Sequence, residues 1–194
     1  MSINIAIFAS GSGTNAENII KFFNKKVSVN IALVLSNKKD AYVFERTKKY
    51  NITSHVFTKQ DLIDTDNVLS ILQQYKIDFI VLAGFLLPIP KGILDKYHNL
   101  IINIHPALLP KYGGKGMYGD YIHKAVVDAG EKESGITIHY IDEKYDEGNI
   151  IFQATCMISP DDSPEDVASK VHELEYKYYP RVIEDVLLRE KLMN

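Results

Sequence analysis

Cysteine is nearly absent from this chain, at one in 194 residues. A single thiol excludes an internal disulfide framework and any metal centre built on several cysteines. That residue, Cys156, lies in the apolar run Ile150 to Met157, where a packed strand side chain accounts for it better than a nucleophile does. A basic excess is missing as well. Lys and Arg number 22 against 25 Asp and Glu, for a net charge of -3, so bulk charge offers nothing to nucleic acid or to an anionic membrane surface. No apolar run approaches the roughly 18 residues that mark a membrane span. The N-terminal apolar stretch ends at Ala9 with no basic segment before it. It reads as a first strand rather than a signal peptide, and a cytoplasmic location is expected. Histidine pairs of the form H-x-x-x-H or H-E-x-x-H are also lacking, so no metal site is expected. There are no repeats, low-complexity tracts or linkers, and the length suits one domain spanning 1–194.

What the chain does have is 46% apolar residues, enough for a sizeable core, in alternating strand and helix patterns. Short apolar runs predict strands over 3–9, 27–35, 53–57, 78–83 and 100–104. Helical spacing falls between them, over 14–23, 41–50, 60–75 and 90–97. This β-α-β-α order implies an α/β fold of Rossmann-like type, a mostly parallel sheet with helices on both faces. Beyond Pro110 the pattern changes. Residues 111–116 read as loop and 118–129 as helix. Runs at 135–141 and 148–157 predict two strands with a short connection, an antiparallel C-terminal extension. Ser163-Pro164-Glu165-Asp166 starts a last helix, with Ser as cap, Pro in the first turn and acids facing the dipole. That helix is expected to reach about Leu188, with Pro180 the place for an interruption.

Chemistry is concentrated in four places. Asn103-Ile104-His105-Pro106 follows the apolar Leu100-Ile101-Ile102. In strand geometry Asn103 and His105 leave the same face, and Pro106 ends the ladder. An amide donor and an imidazole at the end of a core strand sit where open α/β sheets place their chemistry. Together they can polarise a carbonyl and move protons on it. The second place is Gly11-Ser12-Gly13-Thr14-Asn15, between the first strand and the first helix. Glycines let the backbone approach a ligand, and N–H groups at a helix N-terminus bind phosphate. Ala16 stands where the dinucleotide fingerprint tolerates it, but the second strand ends in Ser36-Asn37-Lys38-Lys39, with no acid for a ribose. NAD is therefore disfavoured, while NADP, through the lysines, and a plain phosphate monoester both stay open. Third, Thr137 and His139 alternate with Ile136, Ile138 and Tyr140 and so share one strand face. Fourth, Asp142, Glu143, Asp146 and Glu147 crowd the loop between the last two strands. One carboxylate beside His105 would favour its charged form and fix its orientation, and spacing alone does not choose which.

Three of these segments, in this order and spacing, resemble the folate-dependent formyltransferases, and among them the phosphoribosylglycinamide formyltransferase family. They are the loop Gly11 to Asn15, the run Asn103-Ile104-His105-Pro106 with Leu108-Leu109-Pro110, and Gly135-Ile136-Thr137-Ile138-His139 with Asp146 seven residues on. The resemblance implies that a formyl group passes from 10-formyltetrahydrofolate, as co-substrate, to the amine of glycinamide ribonucleotide. It implies Asn103, His105 and Asp146 as the catalytic trio, with Thr137 and His139 in support. Gly13, Thr14 and Asn15 would hold the substrate phosphate, with Gly11 and Ser12 shaping the loop and Glu175 near the substrate amine. Leu86, Leu87, Pro88 and Ile89, with Asn103 and Lys59, would contact the folate. The chain departs from some relatives in lacking a basic residue within Leu86 to Ile89, and in a richer glycine content over 113–117. The implied partners are these small molecules, with neither nucleic acid nor membrane. Patterning specifies no oligomeric state.

Relatives on the same core are the alternatives. A methionyl-tRNA formyltransferase is expected to carry a further basic C-terminal domain, and a formyltetrahydrofolate hydrolase an N-terminal regulatory one. Neither is expected in this chain. A sugar-nucleotide formyltransferase stays open. So does a non-catalytic NADP- or nucleotide-binding module, although that reading leaves Asn103, His105 and Asp146 without a task.

Overall fold

Strands covered on both faces read as unbroken apolar runs. The first strand, β1 (Ile3–Phe8), is of this kind, with Ile5, Ala6, Ile7 and Phe8 all inaccessible to solvent. The structure is a computed structural model that describes residues 2–144 and 146–192. It divides into two compact units, Met1–Asn103 and Ile104–Asn194.

In the first unit β1 is followed by α1 (Thr14–Phe23), β2 (Val29–Ser36), α2 (Val43–Lys48), β3 (Ser54–Val56), α3 (Lys59–Asp64), α4 (Asp66–Gln74), β4 (Phe79–Leu82) and α5 (Lys91–Lys96). Strand β5 (Ile101–His105) closes this unit and gives its last two residues to the next. The pairs β1–β2, β1–β4, β2–β3 and β4–β5 are all parallel. The order β3-β2-β1-β4-β5 means that the chain steps outward from β1 in one direction and then in the other. With right-handed crossovers, α1 and α2 cover one face and α4 and α5 the opposite one. The reversal falls between β1 and β4. Such a switch point is where open α/β sheets bind ligands, beyond the carboxyl ends of the strands.

Two expectations are corrected here. The predicted helix over 60–75 is two helices, because Thr65 adopts a positive φ of 58°, a conformation a β-branched residue takes only by breaking the ladder. Leu62, Val68 and Leu72 are all buried, so the apolar spacing runs on across the break and conceals it. A capping box at Thr58, in which its hydroxyl accepts from Asp61 N–H and the Asp61 carboxylate accepts from Thr58 N–H, starts α3 at Lys59. The helix predicted over 41–50 shortens to Val43–Lys48, with turns on either side.

The second unit contains α6 (Asp120–Asp128), β6 (Glu133–Tyr140), β7 (Ile150–Met157) and α7 (Pro164–Leu192). β6 and β7 pair antiparallel, with a register shift between Ile138 and His139. The seven-stranded sheet is thus ordered β3-β2-β1-β4-β5-β6-β7, mostly parallel with an antiparallel C-terminal pair. α7 is one helix through Pro180, where the sequence left room for an interruption. Proline costs an interior helix about 3 kcal/mol, but Val171 and Tyr179 before or beside it and Ile183, Val186 and Leu187 after it are all buried. Packing on both sides holds the helix continuous through the defect. Among the described residues no helix is long and apolar enough to cross a membrane.

Candidate active site

His105 ends β5 with 4% of its surface exposed. Its Nε2 lies 2.8 Å from the Tyr112 carbonyl oxygen, and its Nδ1 lies 3.6 Å from Asp146 Oδ2. Both ring nitrogens face acceptor oxygens. A neutral imidazole can serve only one of them as donor, whereas an imidazolium serves both.

The two residues that face it are held in costly conformations. Tyr112 and Asp146 both have positive φ, at 56° and 55°, a cost of about 1–2 kcal/mol each for a residue with a side chain. Their surroundings fix them there. The Tyr112 hydroxyl donates to Glu131 at 2.9 Å, and Lys111 Nζ donates to the same oxygen at 2.9 Å. These bonds, with Lys111 first, hold the Glu131 carboxyl below its usual range. Asp146 Oδ2 accepts the Gly114 N–H at 2.9 Å. Its other oxygen lies 3.7 Å from Nε2 of His139.

His139 is fully buried, and its Nδ1 donates to the Tyr140 carbonyl at 2.9 Å. Burial pushes its pKa down, against the opposing pull of the Tyr140 carbonyl and of Asp146. The choice that spacing left open among four acids is resolved by geometry. Asp142 and Glu147 are exposed and engage Lys144, through its backbone N–H at 2.9 Å and its side chain at 3.1 Å, and Glu143 is exposed. Asp146 is the acid beside His105.

Thr137 works behind this group. Its inaccessible hydroxyl donates to the Ala107 carbonyl at 2.7 Å and accepts the Leu109 N–H at 2.9 Å and the Gln153 Nε2–H at 2.8 Å. Gln153 also donates to the Leu109 carbonyl at 3.0 Å. The chain leaving His105 is therefore fixed by saturated polar contacts on β6 and β7. Sequence reasoning missed Gln153, although an amide within the apolar run of β7 was a signal. The Tyr112 carbonyl and the Gly114 N–H carry no side-chain signal. Glu175 is buried on α7, with its carboxylate 4.0 Å from His172 and beside Tyr179, whose hydroxyl is pushed well up by burial and then by Glu175. Cys156 is half-buried on β7, and burial raises its thiol pKa, which suits a packed residue and not a nucleophile.

In the first unit the loops after β1 and β4 meet through Ser10, a residue that sequence reasoning passed over. The Ser10 N–H donates to the Gly84 carbonyl at 3.0 Å. Its hydroxyl donates to Asn37 Oδ1 at 2.7 Å and accepts the Leu86 N–H at 3.1 Å. Gly11 and Ser12 are exposed, Thr14 and Asn15 are half-buried, and Gly13 is buried at the start of α1 with φ 73°. A Cβ on Gly13 would lie 2.4 Å from Val43 Cγ2 and 2.8 Å from its Cα, so close approach as well as conformation requires glycine here. Of the segment expected to meet folate, Leu86 and Pro88 are exposed, Leu87 is half-buried and Ile89 is buried. Phe85 anchors it against Phe8, with ring centroids 5.3 Å apart, and against Phe57, at 6.0 Å. Lys59 is exposed on the first turn of α3. Among the described residues no group of three or more His, Cys, Asp or Glu is placed to hold a metal ion.

Chemically, the second unit offers an imidazole between a carboxylate and a carbonyl, suited to donating a hydrogen bond and relaying a proton. The first offers exposed backbone at a helix N-terminus, suited to an anion.

Comparison with known proteins places the chain in a family. A sequence model described as formyl transferase matches residues 3–183. The chain is 38% identical over 184 residues to the phosphoribosylglycinamide formyltransferase of Haemophilus influenzae, covering 92% of this chain and 84% of that one. It is 37% identical over 185 residues to the chloroplastic phosphoribosylglycinamide formyltransferase of Arabidopsis thaliana, covering 92% of this chain but only 63% of that relative's length. The crystal structure of phosphoribosylglycinamide formyltransferase from Bacillus halodurans superposes with a TM-score of 0.86 at 34% identity, covering 95% of each chain.

Proposed function

The chain belongs to the formyl transferase family, and from that premise we propose that it passes the formyl group of 10-formyltetrahydrofolate to the amine of glycinamide ribonucleotide, in the cytoplasm, as a step of purine biosynthesis. The relatives in Haemophilus and Arabidopsis are named for this activity. The observation that carries the reading in this chain is the His105–Asp146 pair, with Nδ1 3.6 Å from Oδ2. A family match of 3–183, extending through both units, supports reading 1–194 as one formyltransferase domain.

The substrate amine attacks the formyl carbon, and the carbonyl oxygen becomes an oxyanion. Collapse breaks the bond to N10 of the folate; the amine loses a proton and N10 gains one. The Asn103 amide and the His105 imidazolium donate to the oxyanion. His105 Nε2 does so by exchanging the Tyr112 carbonyl for the substrate oxygen. Asp146 stabilises the positive ring and takes part in the proton relay. His139 and Thr137 support the group, one against Asp146 and the other against 107–109. Glu175 binds near the substrate amine. The loop Gly11 to Asn15 holds the phosphate and contributes binding energy remote from the reacting atoms. Leu86 to Ile89 and Lys59 contact the folate.

The test is tetrahydrofolate release from 10-formyltetrahydrofolate, with and without glycinamide ribonucleotide. Release that requires the ribonucleotide is expected. Release without any acceptor points to a hydrolase. No release in either case overturns the proposed acceptor, and sugar nucleotides are then the acceptors to try.

A further inference from the structure

Nothing in the loop Gly11-Ser12-Gly13-Thr14-Asn15 carries a positive charge. If it seats a phosphate, as proposed above, its backbone N–H groups must do so, and their directions decide the affinity. A peptide unit is planar, with its C=O and N–H pointing opposite ways. Pinning the carbonyl of one residue therefore aims the N–H of the next.

Two successive carbonyls of this loop are pinned from the same element. The Gly11 carbonyl accepts the Val43 N–H at 3.3 Å. The Ser12 carbonyl accepts Nε–H of Arg46 at 2.8 Å. Both donors belong to α2, so both carbonyls turn toward α2, and the N–H groups of Ser12 and Gly13 turn away from it together. The Gly13 carbonyl accepts the Glu17 N–H at 2.9 Å to begin α1, which leaves the Thr14 N–H at the open end of the helix. Consecutive N–H groups on one side, with a left-handed residue among them, form a concave anion seat.

Arg46 does not contribute to this seat as a free charge. Its Nη1 donates to Glu17 Oε2, and Glu17 is 8% exposed and also pairs with Lys21 at 3.3 Å. The guanidinium lies over the Tyr42 ring, 5.1 Å from its centroid. Burial by itself would raise the Glu17 carboxyl, but the bonds from Arg46 and Lys21 outweigh it and hold the group below its usual range. The arginine is thus neutralised and clamped on one side while its Nε–H holds the loop on the other.

We propose that Arg46 is a positioning residue for the substrate phosphate, acting through the orientation of the Ser12–Gly13 peptide rather than through its charge. This inference rests on the reading of the loop as the phosphate seat.

The experiment replaces Arg46 in a Glu17→Gln background, so that no buried acid loses its partner. Steady-state constants are measured for glycinamide ribonucleotide, for the same ribonucleoside without its phosphate, and for the formyl folate. Arg46→Met reaches as far as the Nε of the arginine but has no donor. It is expected to raise KM for the ribonucleotide about tenfold, the worth of one such hydrogen bond. kcat, the folate KM and the ribonucleoside KM are expected to stay within about twofold. Arg46→Gln carries an N–H as many bonds from Cα as the Nε of arginine, without charge, and is expected to restore the ribonucleotide KM. Arg46→Lys keeps the charge but loses the planar fork and is expected to resemble Arg46→Met. Restoration by Lys and not by Gln overturns the inference in favour of a direct charge effect. An unchanged ribonucleotide KM in Arg46→Met, with the parent still discriminating against the ribonucleoside, overturns the inference alone. A parent that binds ribonucleotide and ribonucleoside equally overturns the phosphate seat itself, and the inference with it.

Discussion

The two units present chemistry in opposite ways. In the first, the candidate ligand surface over 11–15 is backbone, shaped by glycines and aimed by bonds from α2. In the second, it is side chain: two imidazoles, one 3.6 Å and the other 3.7 Å from the same carboxylate, on strand ends and a loop of strained φ. A backbone surface depends on what is missing at a position, namely a Cβ. A side-chain surface depends on what is present. Substitutions should therefore hurt the two units in different quantities: turnover in the second, affinity and stability in the first.

The largest expected effect is in the second unit. Asp146→Asn keeps an oxygen for the Gly114 N–H but loses the charge facing His105. Turnover is expected to fall about 10²-fold or more, as is usual when such a group is removed, with little change in KM for the ribonucleotide. His105→Ala is expected to fall at least as far. Near-normal turnover in either variant, measured by tetrahydrofolate release, would break the division of labour between the units.

Next is Gly13→Ala in the first unit. The added Cβ meets Val43 Cγ2 at 2.4 Å and Val43 Cα at 2.8 Å, at a φ of 73°. Backbone strain and overpacking together are expected to cost about 2–4 kcal/mol, read as a lower urea midpoint. A neutral result would show that α2 can retreat from the loop, and that the seat is softer than its hydrogen bonds imply.

A smaller loss is expected from Thr137→Val. The change keeps the shape but strands the Leu109 N–H and Gln153 beside an apolar methyl, at about 1–3 kcal/mol for the buried groups left unsatisfied. Stability is expected to suffer more than turnover, because Thr137 touches the chain behind His105 and not His105 itself. A loss of turnover as deep as that of Asp146→Asn would place Thr137 in the chemistry.

The same contrast explains what the sequence disclosed. His105, Thr137 and His139 were legible because residue type and strand parity point to them, and the parallel pairing of β1 to β5 followed from alternating apolar runs. Asp146 was legible only as one of four loop acids, singled out by the resemblance. The supporting contacts of the first unit were not legible. Arg46 and Val43 act on the carbonyls of Ser12 and Gly11, and a carbonyl looks alike in every residue. Nor was the break at Thr65 visible, since buried Leu62, Val68 and Leu72 keep helical spacing on either side. Whether α7 runs unbroken stays open in the sequence for the opposite reason: Pro180 is a strong local signal that burial of Tyr179 and Ile183 overrides.

Acid should separate the units by window, with the smallest effects of the set. In the second unit His123 is 2% exposed on α6, and its Nδ1 has no hydrogen-bond partner among the described residues. It faces His172 of α7, with ring centroids 6.4 Å apart, and Asp120 on its own helix. Burial first, and His172 second, push its pKa below the ordinary 6.5, with Asp120 opposing; burial likewise lowers His139. A histidine lowered in the folded state means that the unfolded chain binds more protons just below that value. Stability then falls as pH drops from about 6.5 toward the folded pKa, by at most about 1.4 kcal/mol per pH unit for each group. Glu17 in the first unit is shifted in the same direction but from a lower starting value, so its window lies further toward acid. Its folded pKa lies below the ordinary 4.5, so its contribution is complete above that value and is lost only as pH falls further, through the folded pKa. Urea midpoints against pH should show this. His123→Leu should flatten the slope between about pH 7 and 5. Glu17→Gln should differ from the parent by a constant amount above about pH 5, and the gap should close only below it. If both variants depart from the parent in the same window, burial of His123 is not what governs its proton.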